Sequence, residues 1–148
     1  MKNERLPLSV AWLGYGGLIP FLIFGGLCLV EPAHQIIYRG ALFSYGAVIL
    51  SFVGAFQWGL AMCMPELTEN QRRSAYIWSV VPALIAWVTI FFGPVTSGLL
   101  LILGFLMQYW RDLALSHQFS LPKWFLPLRL RLTAVACISI GIGVYSVF

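Results

Sequence analysis

Charged side chains are scarce in this sequence, and acidic ones are the scarcest. Only 9% of the 148 residues are charged, with five acids against nine basic residues. Soluble domains average roughly 25% charged residues, so this composition cannot cover the surface of a globule in water. The net charge of +4 forms no basic run and no basic helix face, which argues against nucleic-acid binding.

Residues that bind metals or act in catalytic pairs are also few. The two histidines, His34 and His117, fall in predicted loops on opposite sides, so they cannot both ligate one haem. The three cysteines lie in apolar stretches without a C-x-x-C spacing and are expected to be small buried side chains. No serine has a histidine at a compatible depth. We therefore expect no metal, no cofactor and no enzymatic activity.

Long apolar runs are what the chain has in abundance, since 60% of its residues are hydrophobic. A helix needs about 20 apolar residues to cross roughly 30 Å of hydrocarbon. The runs predict helices over about residues 7–30, 40–64, 74–92, 95–114 and 124–147. The first run is longer than the apolar core of a signal peptide, so we expect it to be retained. The predicted fold class is all-α: a single polytopic membrane domain, 1–148, with five transmembrane helices.

This arrangement of five helices places nearly all basic residues on one side of the membrane. Eight of the nine lie before the first helix, between the second and third, or between the fourth and fifth: Lys2, Arg5, Arg72, Arg73, Arg111, Lys123, Arg129 and Arg131. Only Arg39 lies on the other side. Because cationic short loops stay cytoplasmic, the N-terminus is predicted to be cytoplasmic and the C-terminus periplasmic, in a bacterial inner membrane.

Polar side chains concentrate in the predicted cytoplasmic half, where they are expected to face the bundle interior. Gln108 and Asp112 are four residues apart and share a helix face, and Asp112 should form an ion pair with a nearby arginine. Two interpretations stay open: a salt bridge that orients helices, or a site for an anionic head group. The candidate binding residues are Tyr15, Gln57, Trp58, Arg73, Trp78, Gln108, Asp112, Arg129 and Arg131.

Prolines interrupt two of the predicted helices. Pro20 and Pro82 each remove a backbone hydrogen bond, which frees the carbonyls of Gly16 and Trp78. Each proline therefore makes either a packing kink or the hinge of a broken-helix ligand site, with Gly16, Pro20 and Pro82 as the hinge residues.

Small residues recur every four positions in the second predicted helix. This stripe consists of Ala47, Ser51, Ala55 and Gly59. Small side chains let a neighbouring backbone approach closely. The stripe therefore predicts a central place for this helix in the bundle. The charge-free turn at Gly93 and Pro94 predicts a tight antiparallel hairpin of the third and fourth helices.

Several short motifs are spread over nearly the whole chain. They are YGGLIPF at 15–21, YGAVILSF at 45–52, Trp58-Gly59, WSVVPA at 78–83, Gly104 with Gln108 and Asp112, and LPLRLRLT at 126–133. In these motifs the chain resembles the transmembrane protein 69 family, a group of unknown function found in bacteria and mitochondria. The resemblance implies a small polytopic protein of an energy-coupling membrane, and it implies no reaction.

Three functions are compatible with these features. The first is a non-enzymatic membrane protein whose cytoplasmic half binds a lipid-like amphiphile, a membrane-protein partner or a second copy of the chain. The second is a small transporter, although the outer half offers few polar residues to line a path. The third is a membrane-embedded lipid enzyme, which the lack of a paired acid and base disfavours.

Overall fold

The computed structural model describes residues 6–119 and 121–148, so Lys2 and Arg5 lie outside the described residues. The long helices are α1 (Leu8–Gly16), α2 (Ile19–Val30), α3 (Gln35–Cys63), α4 (Glu69–Val88), α5 (Pro94–Gln118) and α6 (Phe125–Tyr145). Short 3-10 turns, Pro32–His34 and Thr89–Phe91, precede α3 and follow α4. The described residues contain no strand, which confirms the all-α class.

Five segments are long and apolar enough to cross a membrane. They are Leu8–Val30, Pro32–Cys63, Glu69–Phe91, Pro94–Gln118 and Phe125–Tyr145. The count agrees with the sequence prediction, and the protein is an integral membrane protein. We call the end of the bundle with Arg72, Arg111 and Arg129 the basic end, and the other end the Arg39 end.

Two helices begin earlier than apolar runs alone predict. α3 begins at Gln35 rather than at about 40, and α4 begins at Glu69 rather than at about 74. The start of α4 is a capping box, in which Thr68 accepts from the Gln71 backbone and Gln71 accepts from the Thr68 backbone. The added turn of α4 is polar, and that of α3 carries Gln35 and Arg39 on either side of two isoleucines, so a search for uninterrupted apolar runs does not include them.

The first span is broken beside Pro20. α1 ends at Gly16, and Pro20 lies in the first turn of α2, where its missing N–H costs no helical hydrogen bond. The hydroxyl of Tyr45 donates to the carbonyl oxygen of Gly17 at 2.9 Å. A tertiary hydrogen bond therefore holds the break, at the residue that follows Gly16.

Pro82 does not break its helix, since α4 runs through it from Glu69 to Val88. The proline ring packs against Gly54 of α3 so closely that a Cβ on Gly54 would lie 2.8 Å from Pro82 Cγ. The absence of a side chain at Gly54 is what lets the two helices meet at this point.

The packing face of α3 differs from the predicted stripe. Ala55 and Gly59 are exposed, whereas Gly46, Leu50 and Gly54 are buried against neighbouring helices. The predicted stripe lies one residue, or about 100°, around the helix from the buried row, and spacing alone does not choose between two such rows. The central place of this helix is confirmed, because α3 contacts α2, α4, α5 and α6.

The hairpin of α4 and α5 forms as predicted. Pro94 is the first residue of α5, directly after Gly93. The hydroxyl of Ser97 donates to the carbonyl oxygens of Thr89 and Phe92, at 2.6 and 3.0 Å. The hydroxyl thus provides a side-chain donor for carbonyls at the end of the α4 span.

Candidate functional site

A buried ion pair joins α5 to α6 at the basic end. The Nε of Arg129 donates to Oδ2 of Asp112 at 2.6 Å. The Asp112 side chain is 1% exposed and that of Arg129 is 15% exposed. Gln108, one turn before Asp112, donates from Nε2 to its Oδ1 at 3.0 Å. Both carboxylate oxygens are thus hydrogen bonded, as a charge at this depth requires.

The hydrogen-bond chain continues into α4. The indole Nε1 of Trp78 donates to Oε1 of Gln108 at 3.1 Å. Because the indole can only donate, it orients the Gln108 amide with its NH₂ group toward Asp112. A chain of hydrogen bonds therefore links α4, α5 and α6, and it runs from Trp78 through Gln108 and Asp112 to Arg129.

A second arginine of α5 reaches α3 and α4. Arg111 donates from Nε to Oε1 of Gln57 at 3.3 Å and from Nη2 to the hydroxyl of Ser74 at 2.9 Å. Its guanidinium carbon lies 5.7 Å from the centre of the Trp78 ring, within range of a cation–π interaction. Gln57 is fully buried, and its Nε2 has no hydrogen-bond partner among the described residues.

Two apolar clefts open beside Arg129. The smaller, of about 120 Å³, lies among α1, α2, α3 and α6 and includes Gly14, Gly17 and Thr133 in its lining. The larger, of about 330 Å³, lies between α3 and the start of α6. Three residues line both clefts: Phe52, Val53 and Arg129. The walls are otherwise mostly aliphatic and aromatic, so Arg129 is the charged group in each cleft.

The residues of this site fall within a segment that matches a known family. The sequence model of DUF3429, described as a protein of unknown function, matches residues 6–145. The chain belongs to the DUF3429 family. It is 36% identical over 137 residues to a transmembrane protein 69 of Xenopus tropicalis, covering 90% of this chain and 53% of the relative. It is 29% identical over 138 residues to a transmembrane protein 69 of Mus musculus, covering 90% and 54%.

These matches confirm the resemblance to the transmembrane protein 69 family. This DUF3429 chain spans about half the length of the curated relatives it matches. No solved structure matches it.

Five of the nine predicted binding residues of the DUF3429 chain come together at the basic end: Gln57, Trp78, Gln108, Asp112 and Arg129. Arg131 and Tyr15 form a separate, exposed contact, in which Nη1 donates to the hydroxyl at 3.1 Å. Trp58 is exposed, and its ring packs edge-on against Tyr76.

Arg73 is exposed and makes no ion pair among the described residues. Its neighbour Arg72 turns inward instead and donates to the carbonyl oxygens of Ala61 and Met64, at 2.6 and 3.3 Å. Adjacent residues on a helix point about 100° apart, so only one of the two arginines can face the bundle. Arg73, one of the predicted binding residues, therefore does not join the ion pair of Asp112.

Sequence reasoning treated Arg111 as a topology marker and did not place it in the site. Its spacing from Gln108, three residues along α5, was the signal that could have found it. Across residues 6–119 and 121–148, no three His, Cys, Asp or Glu side chains lie close enough together to hold a metal ion. The polar groups of the site are the carboxylate of Asp112, two amides, one indole and two arginines.

Proposed function

We propose that this DUF3429 protein is a non-enzymatic membrane protein that binds an acyl-chain amphiphile with an anionic head group at its basic end. One observation carries the proposal: Arg129 lines both apolar clefts while its Nε is held by the buried carboxylate of Asp112. A cation beside an apolar cleft complements the two parts of such a ligand.

The remaining donors of Arg129 suit an anionic head group. A guanidinium carries five N–H donors in a planar fork, and only Nε is used by Asp112. The two Nη groups can bind phosphate or carboxylate oxygens in the bidentate manner typical of arginine. Arg129 is four steps after the start of α6 at Phe125, or about 6 Å along the helix, which suits a head group near the interface.

The clefts accept the acyl chain of the ligand. Phe52 and Val53 separate them, while Phe56 and Phe125 stack on each other in the wall of the larger one. Lipid tails surround the protein on all sides, so burying one more chain gains no hydrophobic free energy. Selective binding must therefore come from the head group at Arg129 and from the shape of the clefts.

A non-enzymatic role is supported by the state of the polar groups. Asp112 is the acid of the site, and both of its oxygens are engaged by Arg129 and Gln108. General acid–base catalysis needs a group within reach of the reacting atoms and free to exchange a proton. The ion pair gives Asp112 a structural task instead.

A small transporter is the second candidate, favoured by the break between α1 and α2, since Gly14 and Gly17 of this segment line the smaller cleft. A transporter of the amphiphile would move a fluorescent phosphatidylglycerol between the leaflets of proteoliposomes. Protein-dependent movement that stops in an Asp112→Asn/Arg129→Gln variant would favour transport. Movement equal to that of empty vesicles would favour binding alone.

We also propose that the basic end faces the cytoplasm of a bacterial inner membrane. The arginines and Lys123 at this end support the orientation, because positive short loops are retained on the cytoplasmic side. The Arg39 end then faces the periplasm, with Arg39 donating to the Ser146 carbonyl there at 3.2 Å.

Lipid retention tests the binding proposal. Purified protein is titrated with phosphatidylglycerol or phosphatidylcholine and bound lipids are counted by native mass spectrometry. We expect preferential retention of phosphatidylglycerol by the parent protein and loss of that preference in the Asp112→Asn/Arg129→Gln variant, which removes both charges together and leaves no unpaired buried carboxylate.

The matched control is Arg73→Gln, which removes an exposed arginine of the same end and should retain the preference. A second variant neutralises Arg129 and Arg131 together and should also weaken retention of phosphatidylglycerol. Unchanged retention in folded variants of either kind would overturn the proposal. Recovery of a defined protein partner in place of lipid would favour partner binding at this end.

A further inference from the structure

The polar cluster at the basic end contains two arginines, Arg111 and Arg129, but one carboxylate, that of Asp112. Asp112 pairs with Arg129, and within the described part of the chain Arg111 has no carboxylate at ion-pair distance. Arg111 is partly buried between α3 and α4, where its hydrogen-bond partners are the neutral side chains of Gln57 and Ser74. Arg111 therefore has no carboxylate partner of the kind that Asp112 gives to Arg129.

Gln57, which contacts Arg111 through its Oε1, has an amide N–H group without an acceptor among the described residues. Its Oε1 accepts from Arg111, so the amide cannot be turned around without setting two donors against each other. The Nε2 of Gln57 therefore points elsewhere, and no described atom accepts from it although the side chain is fully buried. A buried donor without a partner is destabilising.

A pocket of about 200 Å³ opens at Arg111, between α4 and α5, and Leu67, Ala75, Leu115 and Phe119 form the apolar part of its wall. Its polar lining consists of Asn70, Gln71, Ser74, Arg111 and Gln118. None of the described lining residues is acidic, and Glu69, the first residue of α4, lies outside the lining. Four of the lining residues belong to the first two turns of α4, where the helix dipole favours an anion. The pocket thus offers donors and positive charge without a competing carboxylate.

We infer that this pocket binds a phosphate-type anion, which Arg111 and the surrounding donors hold. Arg111 donates one N–H to Gln57 and one to Ser74, so three of its five N–H donors remain for the ligand. Gln57 does not line the pocket, and its Oε1 accepts from Arg111 and so helps to position the guanidinium. The inference goes beyond the proposed function, because the residues that line this pocket differ from those of the Arg129 clefts.

The anion has two chemical sources, the phosphodiester of a lipid head group and free inorganic phosphate. Delipidated protein in a neutral detergent is titrated with inorganic phosphate at constant ionic strength, with chloride as the reference salt, and Tm is recorded. Phosphatidylglycerol in the same detergent is then added as a competitor. Saturable stabilisation by phosphate that the lipid removes identifies a head-group site, and stabilisation that persists identifies a free-anion site.

Two variants test the residues. Arg111→Gln should weaken the phosphate effect roughly tenfold or more, as expected for losing a charged hydrogen-bond donor, whereas the exposed Arg73→Gln should leave it unchanged. Gln57→Glu places a carboxylate of the same shape against Arg111 and should raise Tm without phosphate while abolishing the response to it.

A phosphate effect absent from the parent protein in both arms would overturn the inference. So would an equal effect in Arg111→Gln and Arg73→Gln. If Arg111→Gln does not fold, Gln57→Glu still decides: a phosphate response equal to that of the parent protein would contradict the site. Lipid retention through Arg129 is unaffected by any of these outcomes, so this site and the proposed function can fail separately.

Discussion

Arg129 and Asp112 meet at 2.6 Å between α6 and α5, and the carboxylate side of this pair is almost fully enclosed. A buried ion pair gains little over an apolar pair of the same shape, but a lone charge left behind is costly. The pair therefore fixes how α6 docks on α5 and at which depth Arg129 presents its free donors to the clefts. The following predictions start from this contact.

Removing the arginine alone should be much more harmful than removing both charges. Arg129→Gln leaves Asp112 buried without its cation and should lower the free energy of unfolding by about 3–5 kcal/mol. Adding Asp112→Asn should recover part of this loss. Reversible unfolding in mixed micelles measures both, and losses that simply add in the double variant would show that the two residues do not interact.

The Trp78–Gln108 hydrogen bond should contribute a modest amount. Trp78→Phe removes the indole donor and is expected to destabilise the protein by about 0.5–1.5 kcal/mol from the lost bond. Trp87→Phe, at an exposed position of the same helix, is the matched control and should have a smaller effect. Equal losses of stability in the two variants would argue against a role for the bond in holding α4 on α5.

Gly54 should tolerate no side chain, in contrast to Gly59 of the same helix. A Cβ at Gly54 would lie 2.8 Å from Pro82 Cγ, whereas nothing lies within 4 Å of one at Gly59. Gly54→Ala should therefore cost about 1–3 kcal/mol through overpacking. Gly59→Ala should be neutral or slightly stabilising, because alanine is the better helix former. Thermal unfolding in detergent compares them, and a neutral Gly54→Ala would refute the close contact.

Orientation can be read from reporter fusions in bacteria. Alkaline phosphatase joined after Phe148 should be active, because the Arg39 end is predicted to face the periplasm. The same reporter joined after Leu67, at the basic end, should be inactive although expressed. The reverse pattern would mean that the charge distribution has been misread and that the clefts open near the periplasmic surface.

The five spans could be predicted from the sequence because apolar length is a local property. The contact of Gln108 with Asp112 was equally accessible, since residues four apart share a helix face. The start of α4 was placed too late because its first turn is polar, and that of α3 because Arg39 interrupts the apolar run after Ile36 and Ile37. Hydropathy identifies residues that suit contact with lipid. It does not identify helical turns that extend beyond the lipid.

The rest of the site depends on how each helix is rotated within the bundle. The choice between Arg72 and Arg73, and between the buried row at Gly54 and the neighbouring row at Ala55, is a rotation of about 100°. Such a rotation is decided by tertiary packing, here the fit of Pro82 against Gly54. The contact of Arg111 with Gln57 joins positions 54 residues apart and follows from the same packing.

The central claim is that an anionic amphiphile occupies the clefts beside Arg129, and photocrosslinking tests it most directly. A phosphatidylglycerol with a photoreactive acyl chain is irradiated with the protein in nanodiscs, and the adducts are mapped by mass spectrometry. We predict adducts concentrated at Phe52, Val53, Phe56 and Phe125, reduced by unlabelled phosphatidylglycerol more than by phosphatidylcholine. Adducts spread evenly over other exposed residues such as Ile77, Leu84 and Ile138, with no head-group preference, would contradict the account.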